Sequence, residues 1–301
     1  MPLGLITKAL SGYYYVLPDE DQQASPIQCR ARGLFKKKGL TPLVGDQVVF
    51  SETENGEGTV EELLPRTTEL IRPPIANVDT ALLVFAVTEP ELTLSLLDKF
   101  LVHTERAGLE TMICLSKADL LTPDDEERSS RIAAIHECYS KLGYTVLPCS
   151  VRSGQGMDEV MQALAGRKTV FSGQSGVGKS SLINRLIPEL NIETGAISSR
   201  LGRGKHTTRH VEFIRHPVAG WIADTPGFSQ LDFAGIEAEE LSSCFVEMKA
   251  LGRQCKFRGC LHRSEPGCEV IAAVQSGKVE ESRYRHYLQF LEEIRERRRR
   301  Y

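Results

Sequence analysis

The segment Gly173-Gln-Ser-Gly-Val-Gly-Lys-Ser180 limits what this 301-residue chain can fold into more than any other stretch. It satisfies G-x-x-x-x-G-K-[ST], and its flanks are those the pattern requires. The apolar, β-branched Thr169-Val-Phe171 precedes it and the helically spaced Leu182–Leu186 follows. A glycine-rich strand-to-helix turn aims successive backbone N–H groups at one phosphate. Lys179 adds a cation for the β- and γ-phosphates, and the Ser180 hydroxyl is a Mg²⁺ ligand. Gly173, Gln174, Ser175, Gly176, Val177, Gly178, Lys179, Ser180 and Ser181 are therefore expected to line a nucleoside-triphosphate site, with Lys179 also catalytic.

Such a turn needs a parallel sheet, and the middle of the chain supplies one. Ala81–Val87 reads as a buried strand, Leu92–Ala107 as a helix and Glu110–Leu115 as another buried strand. Asp124–Leu142 is helical, Thr145–Pro148 a strand and Met157–Ala165 a helix. Alternating strands and helices predict a doubly wound sheet whose ligands sit beyond the strands' carboxyl ends.

Four further segments belong beside the phosphates or the base. The strand ending at Leu115 runs into Ser116-Lys117-Ala118-Asp119. A carboxylate at Asp119 accepts both donors of guanine, N1–H and N2–H₂, while the Lys117 stem packs over the base. The strand ending at Pro148 brings a backbone N–H near Ser150 for guanine O6. A P-loop ATPase or kinase is the competing reading, and Asp119 disfavours it. Gly220–Asp224 is an apolar strand leading into Asp-Thr-Pro-Gly: Asp224 reaches the metal through water and the Gly227 N–H senses a γ-phosphate. The polar Ser198–Arg209 segment suits a first switch, with Thr207 and Thr208 both candidates for Mg²⁺ and for catalysis. These segments resemble the nucleotide loops of a GTPase in rotated order, base loops before phosphate loop.

Both ends of the chain differ from the middle. Residues 1–70 read as four or five short strands between turn signals: a small closed barrel of the oligonucleotide/oligosaccharide-binding (OB) type, although an SH3-like barrel gives the same texture. Residues 234–301 are helical, interrupted by Cys255-x₄-Cys260-x-His262-x₅-Cys268. Three thiolates and an imidazole fill a tetrahedral shell, which reads as one structural Zn²⁺ with no open position. The zinc-deaminase pattern is missing. Cys244 reads as a buried thiol outside this set.

The assembled order, with a barrel before it and a Cys/His cluster after it, resembles the bacterial ribosome small subunit-dependent GTPase A family across the whole chain. The fold expected is multidomain: an OB-like barrel at 1–70, a circularly permuted α/β P-loop GTPase domain at 71–233 and an α-helical zinc-binding domain at 234–301. The resemblance implies a GTPase that docks on the small (30S) ribosomal subunit or its precursor and its 16S rRNA. It acts in late maturation, with GTP hydrolysis stimulated by the subunit and coupled to release, and GTP/GDP and Mg²⁺ as ligands. An rRNA-binding scaffold whose nucleotide site only regulates docking is the alternative. The resemblance also supports His206 as the residue that orients water, since Phe228 stands where many GTPases carry glutamine. Ser116 stands where they carry an asparagine that ties the base loop to the phosphate loop, so weaker nucleotide binding is expected. Loss of the γ-phosphate is expected to move the loop after Gly227 and reorient the cysteine-bearing domain.

The formal net charge is only -3, which taken alone argues against a nucleic-acid partner. The charge is uneven. Seven arginines crowd residues 283–301, and Arg30, Arg32, Lys36, Lys37 and Lys38 lie within nine positions. These clusters are read as two basic modules flanking an acidic centre, an RNA footprint in which Tyr13–Tyr15 offer stacking faces or else core. The longest apolar run is far below the ~20 residues of a membrane span, and no secretion signal opens the chain. A cytoplasmic, monomeric protein with reduced cysteines is expected.

Overall fold

Residues 80–86 show how the centre of the chain becomes a sheet covered on both faces. In the computed structural model, which describes residues 1–21, 24–53, 55–71, 73–122, 124–190, 211–224 and 231–299, every residue of this strand is buried. Ala81, Leu83 and Phe85 enter one hydrophobic cluster while Leu82, Val84 and Ala86 enter another. Period-2 alternation with apolar residues in both registers leaves neither face for water, so helices must cover both. Each fully buried Leu, Val or Phe contributes about 2 kcal/mol by leaving water.

The strands are β1 (Leu3–Leu10), β2 (Tyr13–Pro18), β3 (Ile27–Ala31), β4 (Gln47–Glu52), β5 (Glu57–Leu63), β6 (Glu69–Leu70), β7 (Ile75–Ala76), β8 (Thr80–Ala86), β9 (Glu110–Ser116), β10 (Thr145–Pro148), β11 (Arg167–Ser172), β12 (Glu212–His216) and β13 (Gly220–Asp224). The helices are α1 (Gly33–Lys37), α2 (Leu94–Arg106), α3 (Glu126–Lys141), α4 (Met157–Leu164), α5 (Lys179–Leu186), α6 (Ala238–Leu241), α7 (Val246–Gly252), α8 (Glu269–Gln275) and α9 (Glu281–Arg299).

The central sheet runs β10-β9-β8-β11-β13, all parallel, with β12 antiparallel at its edge. Apolar residues of α2 and α3 fill one face and those of α4 and α5 the other. Chain order reverses between β8 and β11, so the crevice beyond their carboxyl ends is where such a sheet binds ligands. The P-loop leaves β11 at that point.

Residues 3–63 close a barrel in the order β1-β2-β3-β5-β4, with β4 returning to β1 and β3 parallel to β5. Helix α1 lies between β3 and β4. This strand order, with β3 parallel to β5, selects the OB-type barrel over the SH3-like one. The opening strand, Leu3–Leu10, had no clear sequence signal. Gly4 and Lys8 interrupt its alternation, and Gly4 is there because a Cβ would meet the Leu17 carbonyl at 2.8 Å. Strand β1 also pairs with β12, joining barrel and central sheet. The C-terminal helices form a third core around Phe245, Tyr287 and Phe290, into which Val102 of α2 inserts.

Candidate functional site

The P-loop is built by close backbone approach. Gly173 leaves β11 at φ +150°, and a Cβ there would sit 2.1 Å from the Val84 carbonyl. Gly178 caps α5 at φ +96°, a left-handed conformation that glycine adopts freely. Val177 is buried in the core under α5 and pins the loop, while Ser175 and Gly176 face solvent. The Lys179 ammonium donates to the carbonyls of Gly173 (2.8 Å) and Gln174 (3.1 Å). That arches the side chain over the loop, where a phosphate would meet it. Ser180 and Ser181 open α5.

The base-loop residues assemble beside it, at the carboxyl ends of β9 and β10. Lys117 takes a left-handed turn (φ +57°) and its ammonium donates to the Glu89 carbonyl. The Ala118 N–H bonds the Cys149 carbonyl at 3.0 Å, tying the two base loops together. Asp119 is oriented by the Ser150 hydroxyl, 2.5 Å from its Oδ1, which leaves Oδ2 for a base. The Ser150 N–H itself is bonded to the Gln155 carbonyl at 2.8 Å. The amide expected to meet guanine O6 near Ser150 is therefore not that of Ser150 itself. The Ser116 hydroxyl reaches the Val177 carbonyl at 2.6 Å, so the link expected of an asparagine is still made.

Asp224 ends β13, opposite Phe171 of β11 in the parallel register, next to the P-loop. His206, Thr207, Thr208, Gly227 and Phe228 lie outside the described residues.

The Cys/His cluster assembles completely: the ligand atoms of Cys255, Cys260, His262 and Cys268 all lie within 4.8 Å of one another. Cys255 Sγ is 3.9 Å from Cys268 Sγ, and His262 Nδ1 is 3.6 and 3.3 Å from these two sulfurs. Tetrahedral zinc with ordinary bond lengths has edges of about 3.8 Å between sulfurs and about 3.5 Å from sulfur to nitrogen. The donor set and its spacing fit that ion. Burial lowers the pKa of His262, favouring the neutral imidazole that ligates, and pushes the Cys260 thiol up to about 12, so a metal that claims this site displaces its proton. The knuckle is held from outside. Tyr284 and Tyr287 of α9 donate to the carbonyls of His262 (2.6 Å) and Leu261 (2.8 Å). Sequence reasoning missed Glu265, whose carboxylate accepts from the N–H groups of Leu261, Arg263 and Ser264. Burial opposes its charge, yet these backbone donors hold its pKa down at about 2. An acidic residue one position before a proline inside a ligand loop was the available signal. Cys244 is buried outside the cluster.

The basic footprint needs two corrections. Arg283 is 2% exposed and is spent on Asp98 and Glu247 inside the molecule, so it offers nothing to a partner. Residues 1–70 carry seven Lys/Arg against ten Asp/Glu, so the barrel is basic only locally. Its outer face sets Tyr13 opposite Arg30 and Tyr15 opposite Gln28 and Lys8, with the Arg30 guanidinium 4.8 Å from the Tyr13 ring centre. Tyr14 packs on the core instead. On the knuckle, Phe257 is 46% exposed between the exposed Lys256 and Arg258. Among the described residues, no helix is long and apolar enough to cross a membrane.

Comparison with known proteins agrees with this arrangement. The RsgA GTPase family matches residues 63–234 and the RsgA N-terminal domain family residues 3–60. The chain is 52% identical to the small ribosomal subunit biogenesis GTPase RsgA of Bacillus pumilus and 48% identical to that of Bacillus subtilis, each over 301 residues and the whole of both chains. Among solved structures it is similar to YloQ, a circularly permuted GTPase, with a TM-score of 0.83 at 44% identity over 99% of this chain and 96% of that one. It is also similar to YjeQ from Thermotoga maritima, with a TM-score of 0.84 at 35% identity over 97% and 98%. With the barrel, the permuted order of nucleotide loops and the Cys/His knuckle all in place, the chain belongs to the RsgA GTPase family.

Proposed function

We propose that this protein is a guanine-specific GTP hydrolase of small ribosomal subunit biogenesis. It binds the 30S subunit or its precursor through 16S rRNA, is stimulated by it and leaves after hydrolysis. The observation that carries the reading is the convergence of Asp119 and Ser150 on the crevice that the P-loop closes. The names of its relatives supply the ribosomal context, and a scaffold without turnover is not favoured by a family of GTPases.

The residue roles proposed rest on placement and chemistry for the described residues, and on sequence and resemblance for His206, Thr207, Thr208 and Gly227. Residues 173–181 hold the phosphates through backbone N–H groups, and Lys179 stabilises charge developing between the β- and γ-phosphates. Ser180, one of Thr207 and Thr208, and Asp224 through water would hold Mg²⁺, which neutralises phosphate charge when bound. His206 orients the attacking water, and the Gly227 N–H meets the γ-phosphate. Ser116, Lys117, Ala118, Asp119 and Ser150 form the base pocket. Cys255, Cys260, His262 and Cys268 would hold one structural Zn²⁺, which fixes the knuckle bearing Phe257.

Two surfaces suit RNA, the Tyr13–Arg30–Tyr15 face of the barrel and the Lys256–Phe257–Arg258 tip. Each pairs aromatic faces with cations, the combination that stacks unpaired bases and meets phosphate. The protein works as a cytoplasmic monomer with domains at 1–70, 71–233 and 234–301. A competition assay tests the base assignment. Excess GDP is expected to displace labelled GTP while equal ATP leaves it bound, and equal displacement by ATP overturns the reading.

A further inference from the structure

We propose that Cys114 and Cys149 form a peroxide-sensitive site, where oxidation to a disulfide loosens the grip of the base pocket on guanine. The part that concerns guanine rests on the GTP reading above, and the bridge itself does not.

Cys114 lies in β9 and Cys149 directly follows β10. Both are fully buried and enter the same hydrophobic cluster. Their sulfurs are 3.2 Å apart. A disulfide is about 2.05 Å long, so a small closure joins them. The strands already hold the two backbones side by side. Leu147 pairs with Cys114 in the parallel register, and the Cys149 N–H donates to the Leu115 carbonyl at 2.9 Å. Cys255, Cys260 and Cys268 are also close together, but they belong to the metal-binding knuckle.

The two thiols are not equivalent. Hydrogen bonding to Cys114 lowers the pKa of Cys149, against the opposing effect of burial, while the same bond and burial raise that of Cys114. Cys149 is therefore the sulfur that reacts first. Burial selects a small neutral oxidant, and hydrogen peroxide is of that class. Three residues after Cys149 the chain is exposed at Arg152, so local opening of this loop admits the oxidant. The Cys149 thiolate attacks one peroxide oxygen. An S–O bond forms, the O–O bond breaks, and the departing hydroxide takes up the proton Cys149 released, giving water and a sulfenic acid. The Cys114 sulfur then attacks the Cys149 sulfur. The S–S bond forms, the S–O bond breaks, and the second water leaves with the Cys114 proton. Two thiols lose two electrons and one peroxide becomes two waters.

The bridge acts on the base pocket through the backbone of Cys149. Its carbonyl accepts the Ala118 N–H at 3.0 Å, and the next residue, Ser150, orients Asp119 through its hydroxyl at 2.5 Å. Drawing Cys149 toward β9 pulls on both contacts from behind the pocket, and the carboxylate expected to meet guanine loses its alignment.

The test treats the full-length, zinc-loaded protein with hydrogen peroxide, without nucleotide. Free thiols are then alkylated, and peptide mass spectrometry maps the bridges. A chromophoric chelator reports zinc release, which separates damage to the knuckle. GDP dissociation constants come from competition against a fluorescent GDP analogue. The peptide carrying Cys114 is expected to be linked to that carrying Cys149. GDP binding is expected to weaken about tenfold, the scale of one lost buried hydrogen bond, and dithiothreitol is expected to reverse both changes. Cys114→Ala is expected to bind GDP within about twofold of reduced wild type and to keep that affinity after peroxide. Absence of the Cys114–Cys149 bridge overturns the proposal, as does a bridge that leaves GDP affinity unchanged. An equal loss of GDP binding in Cys114→Ala also overturns it. Should that variant fail to fold, mapping and dithiothreitol reversal in wild type decide alone. If reduced wild type binds ADP as tightly as GDP, the GTP reading has failed, and a mapped bridge still supports the redox site.

Discussion

Where the barrel meets the central sheet, β1 continues the sheet through the pair Lys8↔Glu212, and apolar residues of both units, from Ile6 and Val48 to Phe85 and Phe213, form one core. Backbones come very close there. A Cβ on Gly45 (φ +93°) would lie 1.9 Å from the Ala76 carbonyl, and Asn77 donates to the Gly45 carbonyl at 2.9 Å. Where the C-terminal helices meet α2, the insertion of Val102 into their apolar core is joined by a buried ionic cluster. Asp98 of α2 is fully buried and accepts from Arg283 (2.5 Å) and Tyr139 (2.7 Å), with the His286 Nδ1 2.5 Å from its other oxygen. Arg283 also makes two bonds to Glu247, at 2.8 and 2.9 Å, and stacks over Phe245. An apolar junction tolerates repacking, whereas a buried ionic one fixes a single geometry and fails when one partner is lost. The α2 helix that carries Asp98 follows β8, in the layer beneath the base loops. This strut ties α7 and α9 to the helix that follows β8.

The comparison breaks hardest at Asp98. Asp98→Ala leaves Arg283 buried without its partner and is expected to destabilise the C-terminal unit by about 3–5 kcal/mol. The double variant Asp98→Leu/Arg283→Met is expected to recover most of that loss, and denaturant unfolding measures both. Zinc chelation attacks the same unit from its other side. It is expected to lower the melting temperature and change the near-UV dichroism of Tyr284 and Tyr287, while GDP affinity stays within about twofold. Acid gives a smaller effect. The folded pKa of Glu265 is held down at about 2, below the ordinary range of a glutamate carboxyl, about 4.3. Its stabilisation is therefore complete above about pH 4.5 and is lost as pH falls toward 2. Glu265→Gln is expected to flatten that part of the stability–pH curve. Smallest is the ion pair between Lys8 of the barrel and Glu212 of the sheet. Lys8 and Glu212 meet at 2.8 Å but are 31% and 46% exposed, so Lys8→Ala should cost under about 1 kcal/mol in the same unfolding assay. A large loss there would erase the contrast between the junctions.

What could be read from the sequence was what local spacing encodes. The P-loop, the Ser116–Asp119 turn and the Cys255–Cys268 cluster each carry their chemistry within fourteen or fewer residues, and the central strands announce themselves by unbroken apolar runs. Strand β12 was not visible, because Glu212, Arg215 and His216 break up a five-residue segment that is held by pairing with β13 and β1 and by the burial of Phe213. The ionic strut was invisible for a related reason. Asp98 and Arg283 are 185 positions apart, and each alone looks like a solvated charge on an amphipathic helix. The same illusion assigned Arg283 to an RNA-facing cluster. The Ser116 tie depended on how closely two strand ends approach, which residue identity does not encode.

The central claim is that guanine-nucleotide hydrolysis in this protein answers to the small ribosomal subunit. Steady-state GTP turnover measured with and without saturating 30S subunits, at several salt concentrations, tests it most directly. Slow intrinsic hydrolysis is expected, with strong stimulation by 30S subunits that weakens as salt rises, and no stimulation by 50S subunits. GTP turnover that is the same with and without 30S subunits would contradict it.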